Sequence, residues 1–147
     1  MAAKNTLVFP TDFSERSLNA LPWVRKMAEA LQADLRCIYV VEEPQIYSTL
    51  DMGPVAVPSV TELVKSAEEH LDSFIKANIK AFGSAPKASV LVGRPAEEIV
   101  SYAKDNDATM IIMTTHGYSG VKHLLLGSTT EGVLRHASCP VLSIRAA

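Results

Sequence analysis

Short apolar segments alternate along this chain with stretches in which apolar residues recur every three or four positions. The apolar segments cover residues 6–11, 35–41, 88–92, 110–113 and 140–144. Their continuous apolar character is typical of strands that are buried on both faces of a sheet. Strands that alternate with helices form mostly parallel sheets with right-handed crossovers. The pattern therefore predicts an α/β fold with an open five-stranded parallel sheet and helices on both faces.

Prolines shape the first half of the chain. Ser14 can cap a first helix. The apolar face of this helix is predicted to consist of Leu18, Leu21, Val24, Ala28 and Leu31. Pro22 falls inside the helix and should bend its axis, because proline removes one backbone hydrogen bond. Residues 44–58 contain three prolines and no sustained periodicity, which predicts a loop.

Two capping sequences and one proline mark the starts of the other helices. Residues 59–62 and 128–131 both read Ser-x-x-Glu, the capping-box pattern, so Ser59 and Ser128 should be N-caps. Pro95 suits the first position of the helix between them. The apolar positions of the helix that begins at the first box continue to residue 82. In the last helix, the predicted apolar stripe consists of Val133, Leu134 and Ala137.

Length and charge limit the classes of function. The 147 residues are about one domain in length, so we expect a single domain over residues 1–147. Fourteen basic and 16 acidic side chains give a net charge of −2, which does not match the basic footprint of a nucleic-acid-binding protein. Any anion site must then be local and built from backbone and hydroxyl groups.

Neither membrane insertion nor metal binding is predicted. No segment approaches the ~20 apolar residues that span a bilayer, and the first residues lack the apolar region of a signal peptide. We therefore expect a cytoplasmic protein. Cys37 and Cys139 lie far apart without metal-ligand spacing, and we expect both to be small buried residues at strand ends. The histidines are scattered and predict no metal site.

Glycines and hydroxyl groups gather late in the chain. Four of the seven glycines, at positions 117, 120, 127 and 132, lie between the fourth strand and the end of the last helix. Ser128, Thr129 and Thr130 stand at the predicted start of that helix, where unpaired N–H groups and the helix dipole favour an anion such as phosphate. The segment lacks the Walker A pattern. A plain strand-to-helix connection, in which glycines only turn the chain, is an equally good interpretation of the local pattern.

Asp12 is the most informative residue near the start of the chain. It follows the first strand, and loops at the carboxyl ends of parallel strands face the binding crevice. A carboxylate there can accept hydrogen bonds from adenine or ribose. The alternative is structural, because aspartate is also common in turns and helix caps, and the residues alone favour that interpretation.

The late segment also resembles a known family. Residues 113–117, MTTHG, are followed after nine residues by Gly127 and Ser128, which resembles the G-x2-G-x9-G-S/T signature of the universal stress protein family. The first motif glycine is replaced by Thr114, which places a Cβ and a hydroxyl at that turn. Further resemblance is carried by residues 8–21, 93–113 and 124–145. It covers the whole chain except about residues 42–60.

The resemblance implies a doubly wound, Rossmann-like sheet of strand order 3-2-1-4-5. Its crevice would lie between strands one and four, where Asp12 and the glycine segment would face each other. The family's ATP-binding members imply ATP as the ligand, and the nucleotide could itself recruit a Mg²⁺ ion that is held partly by water. The implied nucleotide-binding residues are Pro10, Thr11, Asp12, Val40, Met113, Thr114, His116, Gly117, Gly127, Ser128, Thr129 and Thr130.

Three functions are compatible with these observations. The first is an ATP-binding regulatory protein of the stress response with at most slow hydrolysis, since Lys122 and His123 have no accompanying base. The second is a dimeric interaction protein that does not bind nucleotide, which Thr114 favours. The third is an adenine-cofactor enzyme such as a flavoprotein. The first two predict a homodimer through the apolar fifth strand, which would lie at a sheet edge.

Overall fold

The computed structural model describes residues 4–42, 59–79, 85–115 and 126–145. Several predictions concern residues outside these ranges. They include the loop at 44–58, the continuation of the second predicted helix to residue 82, and the proposed contacts of His116, Gly117, Lys122 and His123.

Five parallel strands form one sheet in the order β3-β2-β1-β4-β5. This confirms both the fold class and the strand order. The strands are β1 (Thr6–Pro10), β2 (Asp34–Val41), β3 (Lys87–Val92), β4 (Met110–Thr114) and β5 (Val141–Ile144). From β1 the chain adds β2 and β3 on one side of the sheet, and it then crosses to add β4 and β5 on the other side. Strands β1 and β4 pair directly, with Leu7 opposite Met110. The carboxyl ends of these two strands therefore flank the switch point of the sheet.

The described residues form five helices, one more than predicted. They are α1 (Glu15–Leu18), α2 (Leu21–Leu31), α3 (Val60–Asn78), α4 (Pro95–Asp105) and α5 (Ser128–His136). Among them, none combines the length and hydropathy needed to cross a bilayer.

The prediction of one bent helix around Pro22 is wrong. The chain instead ends α1 at Leu18 and begins α2 at Leu21, so that Pro22 lies in the first helical turn. The missing N–H of proline is harmless there, because first-turn N–H groups have no partner within the helix. The predicted cap is confirmed, since the Ser14 hydroxyl accepts a hydrogen bond from the Ser17 amide.

The two capping-box predictions have different outcomes. At α3 the box is present: the Ser59 hydroxyl accepts from the Glu62 amide at 3.2 Å, and the Glu62 carboxylate accepts from the Ser59 amide. At α5 it is absent, because the helix begins one residue earlier than predicted and Gly127 is the N-cap. Ser128 is thus already inside the first turn, where its hydroxyl does not cap the helix.

Each face of the sheet carries its own apolar core. Leu7 and Phe9 of β1 pack on one face with α2 and α3, while Val8 packs on the other face with α4 and α5. This alternation follows from the two-residue repeat of a strand, and it confirms helices on both faces. Two of the predicted apolar-face positions are wrong, because Leu18 is 37% exposed and Leu134 is 40% exposed, whereas Val133 is fully buried.

Cys37 lies in the middle of β2 rather than at a strand end. It is fully buried, and burial raises the pKa of its thiol to about 12. The thiol is therefore a core group and not a nucleophile at neutral pH. Cys139, just before β5, is half-buried, and both cysteines are free thiols.

Candidate functional site

A crevice opens at the switch point, where β1, β2 and β4 end. Its volume is about 640 Å³, within the range typical of small-molecule sites. Ten of the twelve predicted site residues line it: Pro10, Thr11, Asp12, Val40, Met113, Thr114, Gly127, Ser128, Thr129 and Thr130. The other two, His116 and Gly117, lie outside the described residues. Two segments more than 100 residues apart in sequence are thus brought to one cavity.

The turn after β1 forms one wall of the crevice. The Thr11 amide donates to the carbonyl of Ile38 at 2.9 Å, which fixes this turn to β2. The hydroxyls of Thr11 and Ser17 share a buried hydrogen bond of 2.7 Å. One carboxylate oxygen of Asp12 accepts from the Ser14 amide at 2.9 Å. Asp12 therefore has the structural role that its residue type favours, and it also lines the crevice.

Phe13 has an unusual backbone conformation in the same turn. Its φ is +64°, in the left-handed region that residues other than glycine, asparagine and aspartate rarely adopt. The Phe13 ring stacks on the Tyr39 ring with centroids 4.5 Å apart. Tyr39 itself lines the crevice. The aromatic contact therefore lies directly behind the wall that carries Asp12.

The first turn of α5 forms the opposite wall. The Gly127 amide donates to the Thr115 carbonyl at 2.7 Å, and the Thr130 hydroxyl donates to the Thr114 carbonyl at 2.8 Å. Thr130 is only 2% exposed. These bonds hold the helix start against the end of β4. The exposed Ser128 and half-buried Thr129 line the crevice beside the free N–H groups of the first turn.

The two walls have opposite electrostatic character. Asp12 and Glu42 line the crevice at the β1 and β2 side. Burial, followed by the charges of these two carboxylates, raises the pKa of Tyr39, so the phenol stays protonated and can donate a hydrogen bond. The α5 side presents backbone N–H groups at the positive end of a helix dipole. The crevice therefore suits a ligand with hydrogen-bond donors at one end and an anionic group at the other.

Thr114 is the residue that the resemblance predicts to replace the first glycine of the signature. It is the last residue of β4, it is half-buried, and it lines the crevice. The crevice measures about 640 Å³ with this side chain present. The carbonyl of Thr114 is also the acceptor for Thr130, so the residue helps to anchor the opposite wall.

Sequence reasoning missed some of the lining residues. Tyr39, Glu42 and Ser17 also face the crevice. Tyr39 precedes Val40 in β2, and Glu42 directly follows the last residue of this strand, so their place near a strand terminus could have identified them. Ser17 lies three residues after the cap Ser14, but nothing in the sequence shows that its hydroxyl pairs with Thr11. Within the described ranges, no group of three or more His, Cys, Asp or Glu is placed to hold a metal ion.

Comparisons with known proteins agree with this fold. The family model for the Universal stress protein family matches residues 4–145. The chain is 32% identical over 139 residues to universal stress protein MJ0531 of Methanocaldococcus jannaschii, covering 95% of this chain and 81% of that protein. It is 30% identical over 152 residues to MJ0577 of the same organism, covering 95% and 93%.

Solved structures show the same architecture. A structure of MJ0577 superposes with a TM-score of 0.78 at 31% identity, covering 97% of this chain and 96% of that chain. A universal stress protein in complex with cAMP superposes with a TM-score of 0.73, covering 99% and 100%, at 21% identity. The second likeness is one of fold alone.

Proposed function

The chain belongs to the universal stress protein family, and from this premise we propose that it is an ATP-binding regulatory protein. The observation that carries the proposal is the pairing of Asp12 and the start of α5 across one crevice of about 640 Å³. The polarity of the crevice supports a ligand that has hydrogen-bond donors at one end and an anionic group at the other, as ATP has.

The proposed orientation follows from the chemistry of the two walls. Adenine packs beside Val40, and the carboxylate of Asp12 accepts hydrogen bonds from the base or the ribose. The phosphates lie at the α5 start, where the backbone N–H groups and the hydroxyls of Ser128 and Thr129 donate to them. The hydroxyl of Thr130 is committed to the carbonyl of Thr114, so this residue supports the phosphate site by holding the helix in place.

The ligand class is also that of a protein with the same fold, which was solved in complex with cAMP, an adenine nucleotide. A Mg²⁺ ion entering with ATP would be coordinated mainly by phosphate oxygens and water, as is usual for this ion. We propose a regulatory role in the cytoplasm, with hydrolysis slow at most.

Isothermal titration calorimetry with ATP and Mg²⁺ tests this function. We expect saturable binding by the wild-type protein. Asp12→Ala should weaken it by roughly tenfold, because the bound nucleotide loses a charged hydrogen-bond acceptor. Asp105→Ala is the matched control, since Asp105 is an exposed acid at the end of α4 and does not line the crevice. Absence of binding by the wild type would refute the proposal.

A dimeric interaction protein without nucleotide is the second candidate. The observation that favours it is β5, which is at the edge of the sheet with half-buried apolar residues. An apolar edge strand is prone to pair with a second copy. We propose that both functions share a homodimer formed through this strand. A dimer that does not bind ATP would favour the second candidate.

A further inference from the structure

We propose that Phe13 is a positioning residue that holds Asp12 in the nucleotide crevice through its aromatic contact with Tyr39. This inference rests on the proposed ATP-binding function and deepens it. Phe13 does not touch the cavity, so its role is indirect.

The backbone of the turn after β1 is strained at Phe13. A φ of +64° is disfavoured for a residue with a Cβ, and a phenylalanine there must be held by its surroundings. The left-handed residue reverses the chain directly after Asp12. It also allows the amide of Ser14 to reach the Asp12 carboxylate at 2.9 Å. The conformation of Phe13 thus places the Ser14 amide where it holds one oxygen of the Asp12 carboxylate.

Ring contacts of the Phe13 side chain form an aromatic anchor that opposes this strain. The Phe13 ring is stacked on Tyr39 at 4.5 Å with an interplanar angle of 20°. It also lies 5.8 Å from the ring of Phe74 and 5.7 Å from that of His70, both on α3. The Phe13 amide donates to the Thr11 hydroxyl at 3.1 Å. Side-chain packing and this hydrogen bond together keep the turn in its left-handed form.

Phe13 differs from the other described non-glycine residues that have a positive φ. Gln32 and Asp107 are the two other described non-glycine residues with positive φ, both at +48°. Each follows a helix, where a left-handed residue is a common ending. Neither lines the crevice. Phe13 is therefore the one described residue that combines this backbone conformation with an aromatic anchor behind the ligand wall.

The test compares two ligands in Phe13→Ala. ATP needs both walls of the crevice, whereas inorganic tripolyphosphate needs only the α5 wall. We expect ATP affinity to fall by about tenfold, because the Asp12 contact is lost, while tripolyphosphate affinity stays within about twofold. Phe13→Tyr keeps the ring and should retain ATP affinity within about threefold. Ile79→Ala is the control for general destabilisation, because Ile79 is buried in the same apolar core but belongs neither to the ring cluster around Phe13 nor to the lining of the crevice.

A second measurement needs no nucleotide. The Ser14 amide donates to the Asp12 carboxylate at 2.9 Å, so the hydrogen-exchange rate of this amide reports whether the turn holds Asp12 in place. Phe13→Ala should raise this rate by roughly tenfold, as followed by NMR, whereas Ile79→Ala should raise it by less than about twofold.

The outcomes are distinguishable. Weaker ATP binding, unchanged tripolyphosphate binding and faster exchange of the Ser14 amide in Phe13→Ala would support the inference. Wild-type ATP affinity or an unchanged exchange rate of the Ser14 amide in Phe13→Ala would overturn it, as would an equal loss of both ligands in Phe13→Ala and Ile79→Ala. If the wild-type protein binds no ATP, the proposed function fails, and exchange of the Ser14 amide alone then decides whether Phe13 positions Asp12.

Discussion

Thr129 and Thr130 are adjacent residues whose hydroxyl groups have different roles. The Thr130 hydroxyl donates to the Thr114 carbonyl at 2.8 Å and is almost fully buried. Thr129 is half-buried and lines the crevice. Replacing each threonine by valine removes the hydroxyl and keeps the branched shape. Helix propensity changes little between these two residue types, so the pair of variants isolates the hydroxyl.

The two variants should lose different properties. Thr130→Val leaves the Thr114 carbonyl without its buried donor, which should lower the free energy of unfolding by about 1–3 kcal/mol. For a chain of this size each kcal/mol corresponds to roughly 2–4 °C in Tm. Thr129→Val removes a donor proposed to face phosphate. It should leave the free energy of unfolding within about 0.5 kcal/mol of the wild type but weaken ATP binding by roughly tenfold.

Urea denaturation measures the first property, and calorimetry with ATP and Mg²⁺ measures the second. Titration of Thr130→Val at a temperature well below its Tm separates loss of the fold from loss of the site. The assignment is wrong if Thr130→Val is as stable as the wild type, or if Thr129→Val binds ATP with unchanged affinity.

Three further predictions follow from the packing of the chain. A Cβ added at Gly132 would lie 2.7 Å from the Cβ of Ala96, so Gly132→Ala should lower the free energy of unfolding by about 1–2 kcal/mol in urea despite the better helix propensity of alanine. Burial raises the pKa of Cys37 to about 12, which keeps its thiolate fraction negligible at pH 8. A thiol reagent should therefore modify only Cys139 in the native protein and both cysteines in urea. Two fast-reacting thiols in the native state would contradict this. The carbonyls of Pro140 and Ile144 accept hydrogen bonds from the amides of Ile111 and Thr115. Because backbone groups alternate in direction along a strand, the amide of Ser143 points to the outer edge of the sheet. Ser143→Pro should therefore convert the proposed dimer to a monomer in sedimentation, while the circular dichroism spectrum stays native.

Much of the fold could be predicted because each element has a local signal. The continuous apolar segments correspond to the five strands, although only β1, β2 and β4 contain fully buried residues. Ser14, Ser59 and Pro95 mark true helix starts. The exact start of α5 could not be predicted in this way. The capping sequence at 128–131 is present, but the close hydrogen bonds of Gly127 and Thr130 to the end of β4 set the helix start one residue earlier.

The candidate site was only partly accessible from the sequence. Asp12 and the glycine segment were found because residues after parallel strands face a crevice, and the family resemblance supplied the strand order that brings them together. Phe13 and Tyr39 were not found, because neither a positive φ nor a ring stack has a signature in residue order. The split of α1 from α2 at Pro22 was missed for a related reason, since the same proline is compatible with a bent helix and with a helix start.

The most direct test of the account is a crystal structure of the protein grown with ATP and Mg²⁺. We expect a purine between Asp12 and Val40, with the phosphates at the first turn of α5 in contact with Ser128 and Thr129. Nucleotide bound elsewhere, or a triphosphate pointing away from α5, would contradict it.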